Sequence, residues 1–200
     1  MKKHSGFTLI ELLVTLIIVS VLLSVGIPSL KSFMQGNQLV ASTNELISAF
    51  HVARSEAIKL NNSVTICEST DGTTCTSPGT GNWEEGWIVF VDGDSNQAGT
   101  EEDCADDNTG TDCLLRSHAG FTDNQLTVAG ADAGDVAIGS STFNSRGLPR
   151  DVAGSSQSGT FSVCSLDGSG NTINSRAVVL SLSGRVRVSD NAAVSCPTSP

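Results

Sequence analysis

Residues 6–28, "GFTLIELLVTLIIVSVLLSVGIP", constrain the fold before anything else, because no side chain from Leu12 to Pro28 carries a charge. That is about the minimum length for a helix that crosses a bilayer. Lys2 and Lys3 precede the run and predict that its leading end is cytoplasmic. A secretory signal peptide would have a shorter apolar core followed by a small-residue cleavage site, and none follows here. The chain therefore reads as a single-span protein with its globular part outside the cytoplasm.

Glu11 is the exception in this stretch. A carboxylate inside a membrane helix costs roughly 2.5–3.5 kcal/mol on insertion scales, and such residues usually have a partner. One reading places Glu11 shallow enough to reach the headgroups. The other requires a cation in the same apolar surroundings. Cleavage between Gly6 and Phe7 would create one, a new α-amino group four residues from Glu11.

With these residues in place, the segment resembles the class III signal of type IV pilins and pseudopilins. The resemblance implies that a prepilin peptidase cuts after Gly6 and that Phe7 is then N-methylated. It also implies that Glu11 pairs with the N-terminal amine of a neighbouring subunit in the fibre. The protein would begin in the bacterial inner membrane with its head in the periplasm, then enter an extracellular pilus or a periplasmic pseudopilus.

Beyond Pro28, where a proline predicts a kink, apolar residues recur at three- and four-residue steps. Leu39, Thr43, Leu46, Ile47, Phe50, Ala53, Ala57 and Ile58 form the stripe of an amphipathic helix, with Gly36 a second point of bending. A helix from Phe7 to about Leu60 would be ~80 Å long. After residue 60 the pattern changes to short β runs bounded by Gly, Asn, Asp or Ser: "VTICES", "GWIVFVD", "QLTV", "STFNSRG", "TFSVCS" and "RAVVLSLSGRVRVS". Residues 92–113 and 151–159 read as polar loops, and no internal repeat is apparent. The fold class is α+β: a long N-terminal helix, half membrane and half amphipathic, packed on a mainly antiparallel sheet. The expected organisation is a leader at 1–6, a membrane or filament-core helix at 7–30 and a head at 31–200. Within the head, 31–60 is helical and 61–200 β-rich. The blocks "ARSEAIKLNNSVTIC" and "GNWEEGWIVFVD" resemble the GspH/FimT branch of minor pilins and pseudopilins.

Six cysteines, Cys67, Cys75, Cys104, Cys113, Cys164 and Cys196, all follow the apolar run. An even number in a looped, exported region points to disulfides. Zinc is disfavoured, since there is no CxxC and none of the three histidines stands at ligand-like spacing. Of the fifteen pairings six cysteines allow, local loops 67–75 and 104–113 are favoured, with 164–196 holding the tail. No cofactor and no metal is called for. "DGDSN", with Asp92, Asp94 and Asn96 followed by Glu101 and Glu102, hints at a calcium loop, but Gln97 stands where the EF-hand pattern needs Gly. A polar turn is the preferred reading. Nor is an enzyme indicated: there is no P-loop, no GxSxG and little histidine.

The formal charge of −10 argues against nucleic acid as a partner, but the average conceals a division. Residues 61–140 hold 15 acids and one base, whereas 141–200 hold five Arg and three Asp. In "SGRVRVS", a strand would project Arg185 and Arg187 from one face and turn Val186 and Val188 to the core, with Gly184 permitting a tight turn. Arg146 and Arg150 lie in a neighbouring loop and would extend the patch. The run resembles the GRxR element of FimT-type minor pilins implicated in capturing double-stranded DNA for natural transformation. The competing reading is an edge strand whose arginines keep it soluble. The resemblance as a whole implies a minor pilin that joins major and minor pilin subunits, near the fibre tip. The alternative is a GspH-type pseudopilin of a type II secretion system.

Overall fold

The computed structural model describes residues 7–76, 81–93, 113–121, 126–167, 169–189 and 196. The chain divides into two compact units, Met1–Gln38 and Leu39–Pro200. A single helix, α1 (Leu9–Leu60), runs unbroken through Pro28 and Gly36. The β-rich part comprises β1 (Val64–Glu68), β2 (Gly86–Val91), β3 (Cys113–Ala119), β4 (Leu126–Ala131), β5 (Ser140–Phe143), β6 (Pro149–Arg150), β7 (Gly159–Leu166), β8 (Thr172–Leu180) and β9 (Val186–Ser189). They form two sheets, ordered β3-β2-β1-β5-β6 and β4-β7-β8-β9, and every pairing is antiparallel. The α+β expectation holds.

Within the second unit, α1 buries Leu39, Thr43, Leu46, Ala49, Phe50, Ala53 and Ala57. The alanines at 49, 53 and 57 give the helix a low profile on that face, and Thr43 satisfies its buried hydroxyl by donating to the Leu39 carbonyl at 2.6 Å. Ile58, counted in the stripe, is instead 51% exposed, because it lies one step past Ala57, at the margin of the buried face. Phe50 is the hub. Its ring lies 4.8 Å from Phe161 in the four-stranded sheet, 6.4 Å from Phe143 in the five-stranded sheet and 6.1 Å from Trp83. Trp83, in a short 3-10 helix before β2, donates its Nε1–H to the Ile138 carbonyl at 2.6 Å.

The strands β1 and β2 are buried on both faces. Val64, Ile66, Val89 and Val91 join the helix-facing core, while Cys67, Ile88 and Phe90 form a second cluster with Cys75 and Leu114. The Cys67–Cys75 disulfide closes residues 68–74 over that cluster. Within this loop Asp71 accepts from the Thr74 hydroxyl, the Thr74 and Thr73 amides and the Ser69 hydroxyl, which holds its carboxyl well below the usual range. Cys164, in β7, is bonded to Cys196. Cys113 is also disulfide-bonded; the expected partner, Cys104, lies outside the described residues.

Two strands were not read from the sequence. β3 is an edge strand whose short apolar pair, Leu114 and Leu115, is split by a register shift opposite Val89 and Phe90. β6 is two residues long and places Pro149 at a sheet edge, where its missing N–H is tolerated. The hairpin connections also share a pattern the sequence reading missed. Turns 132–136, 144–148, 151–155, 167–171 and 181–185 each start with Asp, Asn or Ser. The first residue's amide donates to the fifth carbonyl, and the fourth amide donates back to the first carbonyl. The first side-chain oxygen then accepts from the fifth amide. The fourth position has positive φ and is Gly147, Gly154, Gly170 or Gly184 in four turns and Asp135 in the other.

Replacing Phe50 with Ala should cost the head ~3–5 kcal/mol, read as a lowered denaturation midpoint of the full-length protein in detergent. A loss under about 1 kcal/mol would mean that the two sheets do not depend on this ring.

Candidate functional site

Two surfaces stand out. The first is the leading half of α1. Thr8 caps it, accepting from the Glu11 amide through Oγ1 at 3.3 Å and from the Leu12 amide through its carbonyl at 3.2 Å. The large apolar side chains from Phe7 to Met34 are exposed. The three hydroxyls within the run, Thr15, Ser20 and Ser24, each donate to the carbonyl three residues back at 2.8 Å. These polar groups are therefore satisfied without water, as lipid or a dry interface demands. Glu11 is different. It sits in the first turn, where the helix dipole favours an acid, yet its carboxylate pairs with no cation among the described residues. Gly6 lies outside the described residues.

The second surface is basic and is built from two of the five turns. In turn 181–185, Gly184 has φ +74°, and a Cβ there would overlap the Gly147 carbonyl oxygen of turn 144–148. Glycine is needed at this contact for conformation and for space. The approach brings Arg146 and Arg185 onto adjoining turns. A third arginine, Arg54 of α1, wedges against both: its guanidinium donates to the Ser183 carbonyl at 3.2 Å and lies against the Cα positions of Gly147 and Gly184. Arg54 Nε is buried and has no acceptor among the described residues. Its place among the helix's polar residues gave no sign of this role; only the two glycine turns reveal it.

Arg185 closes the turn and Arg187 stands on β9, exposed on either side of buried Val186. Arg187 is opposite Val179, and Val188 opposite Val178; Arg185 lies before the strand, and of the two valines expected in the core only Val186 is buried. Val188 is 36% exposed rather than in the core, because β9 is an edge strand with no neighbour beyond it among the described residues. Neither Arg185 nor Arg187 forms an ion pair among the described residues. Arg150 is engaged locally, donating to the Gly154 carbonyl and the Ser156 hydroxyl, each at 3.3 Å.

Of the residues considered for calcium, Asp94, Asn96, Glu101 and Glu102 lie outside the described residues. Asp92 is fully buried and accepts from the Thr65 hydroxyl at 2.8 Å. Thr65 in turn meets the Thr142 hydroxyl at 2.6 Å, so Asp92 takes part in an internal network across β1 and β5.

Residues 42–184 match the family model of the type II transport protein GspH, and residues 1–27 match the prokaryotic N-terminal methylation motif. No curated protein matches the chain. The fold is similar to that of the type IV minor pilin FimU of Pseudomonas aeruginosa, with 23% identity, a TM-score of 0.50 and coverage of 78% of this chain and 92% of that one. The minor pseudopilin EpsH of the Vibrio cholerae type 2 secretion system gives 11% identity, a TM-score of 0.43 and coverage of 76% and 96%.

Gly154 and Gly184 have nearly the same φ, but only Gly184 faces another backbone; nothing lies within 4 Å of a Cβ at Gly154. Gly154→Ala should therefore cost ~1–2 kcal/mol from conformation alone, and Gly184→Ala clearly more. Equal costs in chemical denaturation would show that the two turns are not in contact.

Proposed function

The chain belongs to the GspH family of minor pilins and pseudopilins, and we propose that it is a minor subunit of a type IV pilus, incorporated near the tip. The observation that carries this reading is Glu11: a carboxylate with no cation beside it among the described residues, in a helical run whose hydroxyls are satisfied internally and whose large apolar side chains are exposed. Removal of residues 1–6 by a prepilin peptidase would leave an α-amino group at Phe7, later N-methylated. Lodged in the inner membrane, each precursor holds an acid without a partner. In the fibre, the amine of one subunit neutralises Glu11 of the next, and the apolar side chains from Phe7 to Met34 pack against their counterparts. Ion pairing in a dry environment is strong only when both charges are present, which makes the contact dependent on cleavage.

Two finer readings have their own support. The family model's description favours a pseudopilin of a type II secretion machine as the alternative. The basic surface favours nonspecific binding of double-stranded DNA for uptake. Arg185 and Arg187 are separated by about 7 Å of strand, comparable to the spacing of successive phosphates, and Arg146 and Arg54 stand beside them. A patch this small binds weakly and is sensitive to salt.

Intact-mass and N-terminal sequencing of the protein from its own membranes should find a chain that begins at methylated Phe7. Glu11→Ala should be processed normally and yet be missing from sheared fibres; normal incorporation would reject the ion pair. In gel-shift titrations, Arg185→Ala/Arg187→Ala should abolish retardation of duplex DNA that the wild type produces at low salt, and unchanged retardation would reject the patch.

A further inference from the structure

The head contains a groove that neither surface uses. The chain passes between the two sheets twice in succession. Residues 137–139 carry it from β4 into β5, and residues 157–158 return it from the end of β6 into β7. A cavity of about 430 Å³ opens beside these crossovers, between turns 132–136 and 151–155. Ile138 forms its apolar floor at 4% exposure, while Val136 and Val152 stand at its rim, 64% and 63% exposed.

Gln157 lines the groove and is only 9% exposed. Its Nε2 donates to the Ser140 carbonyl at 3.1 Å, which fixes the orientation of the amide. The other end, Oε1, is buried without a donor among the described residues. Two carboxylates line the same groove. Asp132 and Asp151 each use Oδ1 to accept the amides of their own turns, which leaves Oδ2 available. Asp135 adds a third acid in turn 132–136. The adjacent cation, Arg150, directs Nη1 at the Gly154 carbonyl and the Ser156 hydroxyl, both neutral acceptors.

Among the described residues the groove thus offers two carboxylates, with a third acid at Asp135, against the single cation Arg150, around an apolar channel. The chemistry that suits it is an aliphatic stem ending in a planar cation with several N–H groups, which describes arginine better than lysine. We propose that this groove receives an arginine side chain from the head of a neighbouring filament subunit. The inference rests on the reading that the chain assembles with other subunits, and it adds a contact outside the helix.

The test uses the full-length protein in detergent, with NMR signals from the Gln157 side-chain amide and the Val136 and Val152 methyls. Titration with N-acetyl-arginine amide should shift all three saturably. N-acetyl-citrulline amide, of the same shape without the charge, should bind at least about tenfold more weakly. So should the Asp132→Asn/Asp151→Asn variant with the arginine probe. Asparagine keeps the oxygen that caps the turn, as Asn144 does in turn 144–148, so the variant should retain the fold. An equal response to citrulline, an undiminished response of the variant, or no shift at these three residues would overturn the groove. In a second arm, a photo-cross-linker at Val152 in native membranes should form adducts with an arginine-bearing segment of another subunit's head. Adducts to other sequences, or none, would overturn the assignment of the partner. Failure of the chain to enter fibres would instead overturn the reading of assembly, and the arginine titration would still stand or fall by itself.

Discussion

The head depends on one aromatic contact. Phe50 touches Phe143 in one sheet, Phe161 in the other, and Trp83, so this side chain of α1 meets both sheets at the centre of the core that Leu39, Leu46, Ala49, Ala53 and Ala57 extend along the helix. Trp83 fixes the seam further by donating to Ile138, in the segment that crosses from one sheet to the other. Because that crossover is held, turns 132–136 and 151–155 are set apart by a defined distance and a groove remains between them. The basic surface depends on similar economy: Gly184 leaves room for the Gly147 carbonyl of the other turn, Gly147 leaves room for Arg54 and Ile58, and Arg54 touches both turns from the helix.

Much of this was legible in the sequence, for reasons that are local. The helix declared itself through the apolar run and the three- and four-residue spacing of Leu39, Leu46, Phe50, Ala53 and Ala57. The strands β1, β2, β7 and β8 declared themselves through β-branched runs buried on one or both faces. The disulfides at 67–75 and 164–196 follow from short loop closure and from a tail that needs an anchor. What escaped detection depends on tertiary context. β3 is half-exposed and interrupted by a bulge, so its alternation is broken where it would be read. Val188 has the right parity but lies on an edge. Arg54 looks like any polar residue of an amphipathic helix until the turns it touches are in place. The five Asx- or Ser-led turns were readable in principle, as D/N/S-x-x-G, but Asp135 in place of glycine disguises the first of them.

Charge organises the chain on a larger scale. The acids are concentrated in the middle of the sequence and the arginines in its last third, and the fold places Asp132 and Asp151 on a groove while Arg146, Arg185 and Arg187 gather at two turns and an edge strand. A subunit with separate acidic and basic surfaces can engage different neighbours with each, and like-charge mismatches would help exclude the wrong ones.

The proposed function turns on Glu11. The most direct measurement is solid-state NMR on fibres in which this chain carries ¹³C-labelled Glu11 and the other subunits carry ¹⁵N-labelled N-terminal amines. Assembly through an ion pair predicts dipolar transfer between the Glu11 carboxylate carbon and a neighbour's amine nitrogen, at a separation of about 4 Å or less. Fibres that contain the chain but show no such transfer would contradict it.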